Sequence, residues 1–357
     1  MQERNNTPYS EIKIFHHQDI LQKLLRGERC YPLYIRLKPT NKCNQDCYYC
    51  SYRNPCLDLS EYNMNDEIPY DIMMSLLDDI ITLDVKAVTL SGGGEPLLYP
   101  NIEKTMERLL EGKIDLSIIT NGILLYGKRA ELLSKAKWVR ISIDTVDAGK
   151  YSSIRRVKEE SFNILCNNIK EFSKIKNDDC ELGVNMVVTR DNYMEVAEMA
   201  YLMKQLGVNH VKYAPLLSDD TSNYHKDIRS TVTDALNNAQ QDLTDEKFRI
   251  IDLYTNETEV QKNTCRPYHK CQVKEFECVI GADAKVYICH HKAYMKDGIV
   301  CDLRQGSFRE QWYSDQVTKL FQSFDAVERC RQYCVQDGKN YFINTFLDVD
   351  QNQVNFV

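Results

Sequence analysis

Three cysteines, Cys43, Cys47 and Cys50, stand in the run Cys43-Asn44-Gln45-Asp46-Cys47-Tyr48-Tyr49-Cys50, spaced C-x3-C-x2-C. Three thiolates are one short of the four that close a structural zinc site or fully ligate a [4Fe–4S] cluster. A cluster held by this loop has one iron free for another ligand. Buried packing, or a zinc site completed elsewhere, would also account for the cysteines. A second group lies near the other end of the chain, where Cys265, Cys271, Cys278, Cys289, Cys301, Cys330 and Cys334 fall within 70 residues. Cys271, Cys289, Cys330 and Cys334 supply the four thiolates that one complete cluster, or a zinc ion, requires. His290 and His291 follow Cys289 directly and are read as supporting or surface groups.

Other residues suit ligand binding. Ser91-Gly92-Gly93-Gly94-Glu95-Pro96 is a glycine run that lets backbone approach a ligand, followed by a carboxylate for which an ammonium group is a natural partner. The alternative is a glycine-rich turn capped by Glu95. Thr120-Asn121-Gly122 ends a strand pattern, and in Arg140-Ile141-Ser142-Ile143-Asp144 alternation puts Ser142 and Asp144 on the face opposite Ile141 and Ile143. Arg155 and Arg156 follow in the next segment. Asn185, Arg190 and Tyr213 sit at or near later strand ends, where ordinary surface or core roles compete with substrate contact.

Elements that would position these residues alternate regularly. Strand patterns at Tyr34–Leu37, Ala87–Leu90, Leu116–Ile119, Val139–Ile143, Leu182–Val188 and His210–Ala214 are separated by helical patterns at Pro69–Leu83, Asn101–Glu111, Lys128–Ala136, Glu160–Lys174 and Tyr193–Leu206. Six strands alternating with helices predict a parallel sheet that binds ligands at the strands' carboxyl ends. The expected division is a lead-in over 1–32, an α/β domain over 33–217, a polar connector over 218–264 with one helix near Val232–Leu243, a small cysteine-rich domain over 265–340, and a tail over 341–357. In the cysteine-rich domain, Ile280 to Cys289 reads as a β-hairpin.

Composition narrows the classes. The 357 residues are 43% hydrophobic and 27% charged, with a net charge of −7 and no dense Lys/Arg run, so nucleic acid is not the expected partner. The polar start and the lack of any stretch near the roughly 20 apolar residues of a membrane span lead to the expectation of a cytoplasmic protein with no membrane partner. Fourteen cysteines in such a chain point to metal or cluster ligation.

The cysteine spacing, with Tyr49 before the last cysteine, resembles the signature of the radical S-adenosylmethionine (SAM) superfamily. The resemblance implies a partial (β/α)6 barrel, with a [4Fe–4S] cluster on Cys43, Cys47 and Cys50 whose open iron chelates SAM. It implies that Gly93, Gly94, Glu95 and Pro96 correspond to the family's GGEP motif, which holds the SAM amino group, that Ser142 contacts the SAM ribose or carboxylate, that Asp144 does so or touches substrate, and that Arg155 meets the SAM carboxylate. Tyr49, Asn121 and Asn185 complete the cofactor-facing set. The C-terminal cysteines resemble the SPASM/twitch type of auxiliary-cluster domain, a β-hairpin plus helix with the pattern C-x9-15-G-x4-C. Ala284 stands at its glycine position, so the turn is expected to use another conformation; twelve residues separate Cys271 from Ala284, and only five separate Cys278 from it. The implied auxiliary ligands of a second [4Fe–4S] cluster are therefore Cys271, Cys289, Cys330 and Cys334, with Cys278 a strand residue.

The implied activity is reductive SAM cleavage to a 5′-deoxyadenosyl radical that abstracts hydrogen from a substrate C–H. A flavodoxin- or ferredoxin-type donor would supply the electron. The substrate expected is a small sugar, cyclitol or nucleotide-linked molecule, oxidised or epimerised at a carbinol carbon, with Cys56, Cys265, Cys301, Tyr213 and Arg190 as candidate catalytic groups. Ribosomal-peptide modification, enzyme maturation and a non-catalytic iron–sulfur or zinc module are the alternatives.

Overall fold

The structure is a computed structural model that describes residues 10–53, 59–217, 220–255, 258, 266–330, 334–350 and 352–355. Its centre is a ten-stranded sheet in the order β10-β9-β8-β1-β2-β3-β4-β5-β6-β7. The strands are β1 Tyr34–Leu37, β2 Ala87–Leu90, β3 Asp115–Thr120, β4 Trp138–Ser142, β5 Glu181–Val188, β6 His210–Pro215, β7 Arg249–Asp252, β8 Glu277–Ile280, β9 Lys285–Tyr287 and β10 Ile299–Asp302. Every pairing from β8 through β1 to β7 is parallel, and β9 and β10 add an antiparallel edge.

Period-two alternation assigns the two faces of the sheet. Ile35, Leu37, Val88, Leu90, Leu116, Ile118, Val139, Ile141, Leu182 and Val184 are buried in one contiguous core with Met73, Leu77 and Ile80 of the helix Tyr70–Thr82 and with Leu165, Ile169 and Phe172 of the helix Glu160–Ile175. Each such side chain contributes about 1.5–3 kcal/mol of burial, so a one-residue slip of register, which would turn them all to the other face, is excluded. The opposite phase carries the polar residues Arg36, Thr89, Ser117, Arg140, Ser142 and Asn185. They face the inner side of the partial barrel, where Thr89 Oγ1 lies 2.7 Å from Ser117 Oγ and 2.8 Å from Tyr34 OH.

Two features depart from the sequence expectation. The stretch 218–264 holds a seventh βα unit, in which the helix Arg229–Leu243 leads into β7, parallel to β6. A four-residue strand in a polar segment is too short for its periodicity to register. The hairpin of the cysteine-rich segment also continues the main sheet, because β8 pairs with β1 from Tyr34↔Glu277 to Leu37↔Ile280. The lead-in packs on this C-terminal part too: Ile14, Ile20, Leu21, Leu24 and Cys30 share a cluster with Val273, Phe276 and Ile343. Among the described residues, no helix is long and apolar enough to cross a membrane.

Candidate active site

The cysteine loop leaves the carboxyl end of β1 and is held from below by the glycine run that leaves β2. Gly94 N donates to Thr40 O at 3.3 Å, and Glu95 N donates to Lys42 O at 2.8 Å. A Cβ at Gly93 would lie 2.1 Å from Asn41 Oδ1, and one at Gly94 would lie 2.1 Å from Lys42 O. The glycines are therefore needed for the two loops to meet. Cys50 N closes a turn on Cys47 O at 3.1 Å. Cys43 is exposed at the start of the loop, and Cys47 and Cys50 are half-buried.

Glu95 is buried and caps the 3-10 turn Pro96–Leu98, accepting from Leu97 N at 3.1 Å. Its carboxylate also accepts from Thr120 Oγ1 at 2.6 Å and from Asn121 N at 2.7 Å. Burial raises the Glu95 carboxyl above its ordinary range against the pull of these bonds. Any contact of Glu95 with a ligand's amino group therefore shares a carboxylate that already ties the glycine loop to the end of β3. Asn121 Nδ2 reaches Asn44 Oδ1 in the cysteine loop at 2.7 Å.

Asp144 and Arg155 form the second anchor. Asp144, just beyond β4, pairs with Arg155 at the end of the helix Ala148–Arg155, and both are buried. Tyr49 OH also donates to Asp144 Oδ2, and Val187 N donates to Oδ1 at 3.2 Å. The other arm of Arg155 donates to Gln45 Oε1 at 3.3 Å and to Cys47 Sγ at 3.5 Å, while Gln45 Nε2 donates to Tyr151 OH at 2.8 Å. Ser142, the last residue of β4, stands in register with Asn185 on β5. Sequence reasoning missed Gln45 and Tyr151; Gln45 was visible only as a polar residue inside the cysteine motif.

Some candidates lie elsewhere. Tyr213 belongs to the opposite phase of β6, fully buried in the helix-side core, with its OH donating to Val196 O at 2.7 Å. Cys301 is likewise buried in that core, where burial pushes its thiol up to about 12. Arg190 is at the surface, donating to Tyr224 O at 2.9 Å and pairing with Asp227 at 3.6 Å. None of the three faces the cysteine loop's network, so packing or surface partners account for each. Cys56 and Cys265 lie outside the described residues.

Cys271, Cys330 and Cys334 all act electrostatically on Cys289: burial comes first, and these three thiols add to it to hold the Cys289 thiol well above its ordinary value. Asn340 Nδ2 donates to Cys271 Sγ and Gln336 N to Cys334 Sγ, each at 3.4 Å. Cys278 is a buried residue of β8, as expected. Ala284 corrects the expected turn: it adopts φ +58°, the left-handed conformation a glycine would use, with Ala284 N donating to Gly281 O at 3.0 Å and Leu303 N to Ala284 O at 2.9 Å. Among the described residues, no three His, Cys, Asp or Glu side chains are grouped closely enough to hold a single metal ion.

Comparison with known proteins agrees with this geometry. Residues 37–203 match the family described as the Radical SAM superfamily. A probable GTP 3′,8-cyclase of Pyrococcus horikoshii is 34% identical over 158 residues, covering 44% of this chain and 47% of that protein. The chain thus spans about half or less of the length of the curated relatives it matches first. Streptococcus suis SuiB bound to precursor peptide SuiA superposes with a TM-score of 0.63 at 17% identity, covering 97% of this chain and 79% of that one. Native anSMEcpe with bound AdoMet superposes with a TM-score of 0.59 at 16% identity, covering 88% of this chain and 97% of that one. At those identities the superpositions speak to the fold. The cysteine loop and the glycine run beneath it both lie within the segment 37–203 that matches the Radical SAM superfamily.

Proposed function

We propose that the chain is an enzyme that cleaves SAM reductively and abstracts hydrogen from a small polar substrate held on the inner face of the sheet. The observation that carries this reading is the convergence of Cys43, Cys47 and Cys50, the Gly93–Glu95 loop, and the Asp144–Arg155 pair at the carboxyl ends of the parallel strands β1, β2 and β4. Their fit to a [4Fe–4S] cluster with SAM rests on the donor set: three thiols on one loop, an Arg155 N–H on Cys47, and a glycine loop with no room for a Cβ. When bound, that pair of groups would supply one electron and the 5′-deoxyadenosyl radical. The protein's own residues do the rest. The Glu95 carboxylate and Asn121 fix the height of the cysteine loop above the sheet, Tyr49 and Arg155 hold Asp144, and Ser142 and Asn185 present polar groups one strand apart.

Cys271, Cys289, Cys330 and Cys334 suit a second [4Fe–4S] cluster as four thiol donors: Cys271, Cys330 and Cys334 act on Cys289, and N–H···S contacts reach Cys271 and Cys334. Such a cluster would serve to accept an electron from the substrate radical or to anchor substrate. The favoured outcome is oxidation or epimerisation at a carbinol carbon of a sugar, cyclitol or nucleotide-linked molecule. It is supported by the polar inner face, where the half-buried Ser142 and Asn185 offer hydrogen bonds to a hydroxylated ligand. Peptide modification is the second reading, favoured by the likeness in fold to SuiB, which was captured with a precursor peptide.

The test is anaerobic reconstitution followed by reduction with dithionite in the presence of SAM, with 5′-deoxyadenosine measured by mass spectrometry. The wild type should form it and the Cys43/Cys47/Cys50 triple-Ala variant should not. Equal amounts from both proteins would sink the proposal.

A further inference from the structure

The inner face of the sheet carries positive charge that the site above does not use. Arg36 projects from the inner face of β1, Arg140 from that of β4, and Lys38 follows β1 on the same side. Lys38 is completely buried; its ammonium donates to Tyr52 OH at 2.7 Å and lies 4.7 and 4.8 Å from the ring centroids of Tyr52 and Tyr294. Among the described residues none of these three cations forms an ion pair, and Arg36 Nε and Arg140 Nε are buried without a hydrogen-bond partner. Ser91 Oγ, at the end of β2, is also buried and unpartnered.

Acidic groups act on these cations without closing an ion pair among the described residues: Tyr34 and Glu277 on Arg36, with a hydrogen bond between Arg36 and Tyr34, and Asp283 and Cys289 on Lys38. Glu277, which acts on Arg36, accepts from Gln336 Nε2 at 3.0 and 3.1 Å. Asp283, which acts on Lys38, accepts from Tyr287 OH at 2.6 Å and lies 3.7 Å from Lys285 Nζ. After burial, Arg36 is the next cause that depresses the Lys38 ammonium, and Arg36, Lys38 and Arg140 all act on the His290 ring, whose buried Nδ1 has no hydrogen-bond partner. Holding cations in a buried site with no ion pair is costly, and donors left unpaired in a low-dielectric site bind an anion strongly.

We infer that Arg36, Lys38 and Arg140 form a binding site for an anionic group of the substrate, a phosphate or a carboxylate, deeper in the partial barrel than the cysteine loop. Arg36 and Arg140 supply forked N–H donors, Lys38 a point charge, and Ser91 a hydroxyl. A nucleotide-linked sugar or a phosphorylated polyol meets this requirement, and a neutral sugar does not. The inference deepens the proposed function and depends on it only in naming the anion as part of the substrate.

Isothermal titration of the reconstituted protein with pyrophosphate, and separately with malonate, tests it in the presence and absence of saturating SAM. Saturable binding of at least one anion is expected, weakened about tenfold or more by Arg140→Gln, largely kept by Arg140→Lys, and unchanged by Lys174→Gln on the surface. Pyrophosphate binding assigns a phosphate and malonate binding a carboxylate. SAM affinity should be the same in Arg140→Gln as in the wild type. Lack of binding by either anion, or equal binding by Arg140→Gln, overturns the inference. So does displacement of the anion by SAM with parallel loss of SAM affinity in Arg140→Gln, because the cations would then serve the SAM carboxylate. Absence of 5′-deoxyadenosine with anion binding intact would instead remove the enzymatic reading.

Discussion

Arg155 pairs with Asp144 inside the protein while its other terminal nitrogen lies 3.5 Å from Cys47 Sγ. One guanidinium thus links the end of β4 to the cysteine loop. Removing either partner strands a buried charge, which costs about 3–5 kcal/mol. Asp144→Asn and Arg155→Gln should each lower the urea midpoint accordingly and reduce iron incorporation. The double variant should recover part of the loss; strictly additive destabilisation would show that the pair is not coupled.

Gly94→Ala should damage the cysteine loop directly. The new Cβ would meet Lys42 O at 2.1 Å, a backbone atom that cannot rotate away. Reduced iron per chain and at least a tenfold loss of 5′-deoxyadenosine are expected. Gly27→Ala is the control, since nothing lies within 4 Å of its Cβ and its φ of +69° adds only backbone strain of about 1–2 kcal/mol. Equal iron loading in the two variants would argue against the contact.

The auxiliary cysteines should separate from SAM cleavage. Cys271→Ala and Cys289→Ala are expected to lower iron by about four per chain yet retain 5′-deoxyadenosine formation. Iron content unchanged in both variants would count against a second cluster on these residues.

Glu95 should leave a signature in the pH dependence of stability. Its folded carboxyl is raised by burial above the ordinary range, so the unfolded chain releases this proton first as pH rises. The group's contribution is fully present at acidic pH and declines as pH climbs through the interval between the ordinary and the raised value. Glu95→Gln removes that slope. The stability difference, wild type minus variant, should fall across the interval in a urea series, and a pH-independent difference would contradict the raised carboxyl.

Ala284 tests the left-handed turn beneath Cys289. Ala284→Gly relieves about 1–2 kcal/mol of strain but gives up a buried methyl worth about 0.8 kcal/mol and adds about 0.5–1 kcal/mol of chain entropy, so the balance is near zero. A β-branched residue has no such balance. Ala284→Val should destabilise by about 2 kcal/mol or more, and a thermal melt equal to the wild type would rule out the positive φ.

Much of the site was legible because its parts are local. The spacing of Cys43, Cys47 and Cys50 lies within eight residues, Ser91 to Pro96 is contiguous, and the apolar phase of Ile35–Leu37, Val88–Leu90 and Val139–Ile141 names the strands and the face each buries. The same alternation already places Tyr213 in the phase of Val211, both in the helix-side core, and its neighbour Lys212 in the other phase. Choosing Tyr213 for the site weighed its chemistry over its phase.

What the chain alone determined is therefore the set of donors and the strands that carry them. Only the tertiary structure decided how donors far apart in sequence combine. Arg155 reaches Cys47 across 108 residues, Thr120 and Asn121 fill the carboxylate of Glu95 from a neighbouring strand, and β8 joins β1 so that the hairpin before Cys289 extends the sheet that carries the first cysteine loop. The physical reason is that a thiol or carboxylate advertises its chemistry by type and spacing, whereas its partners are set by strand order and register. Those depend on burying the whole apolar face at once.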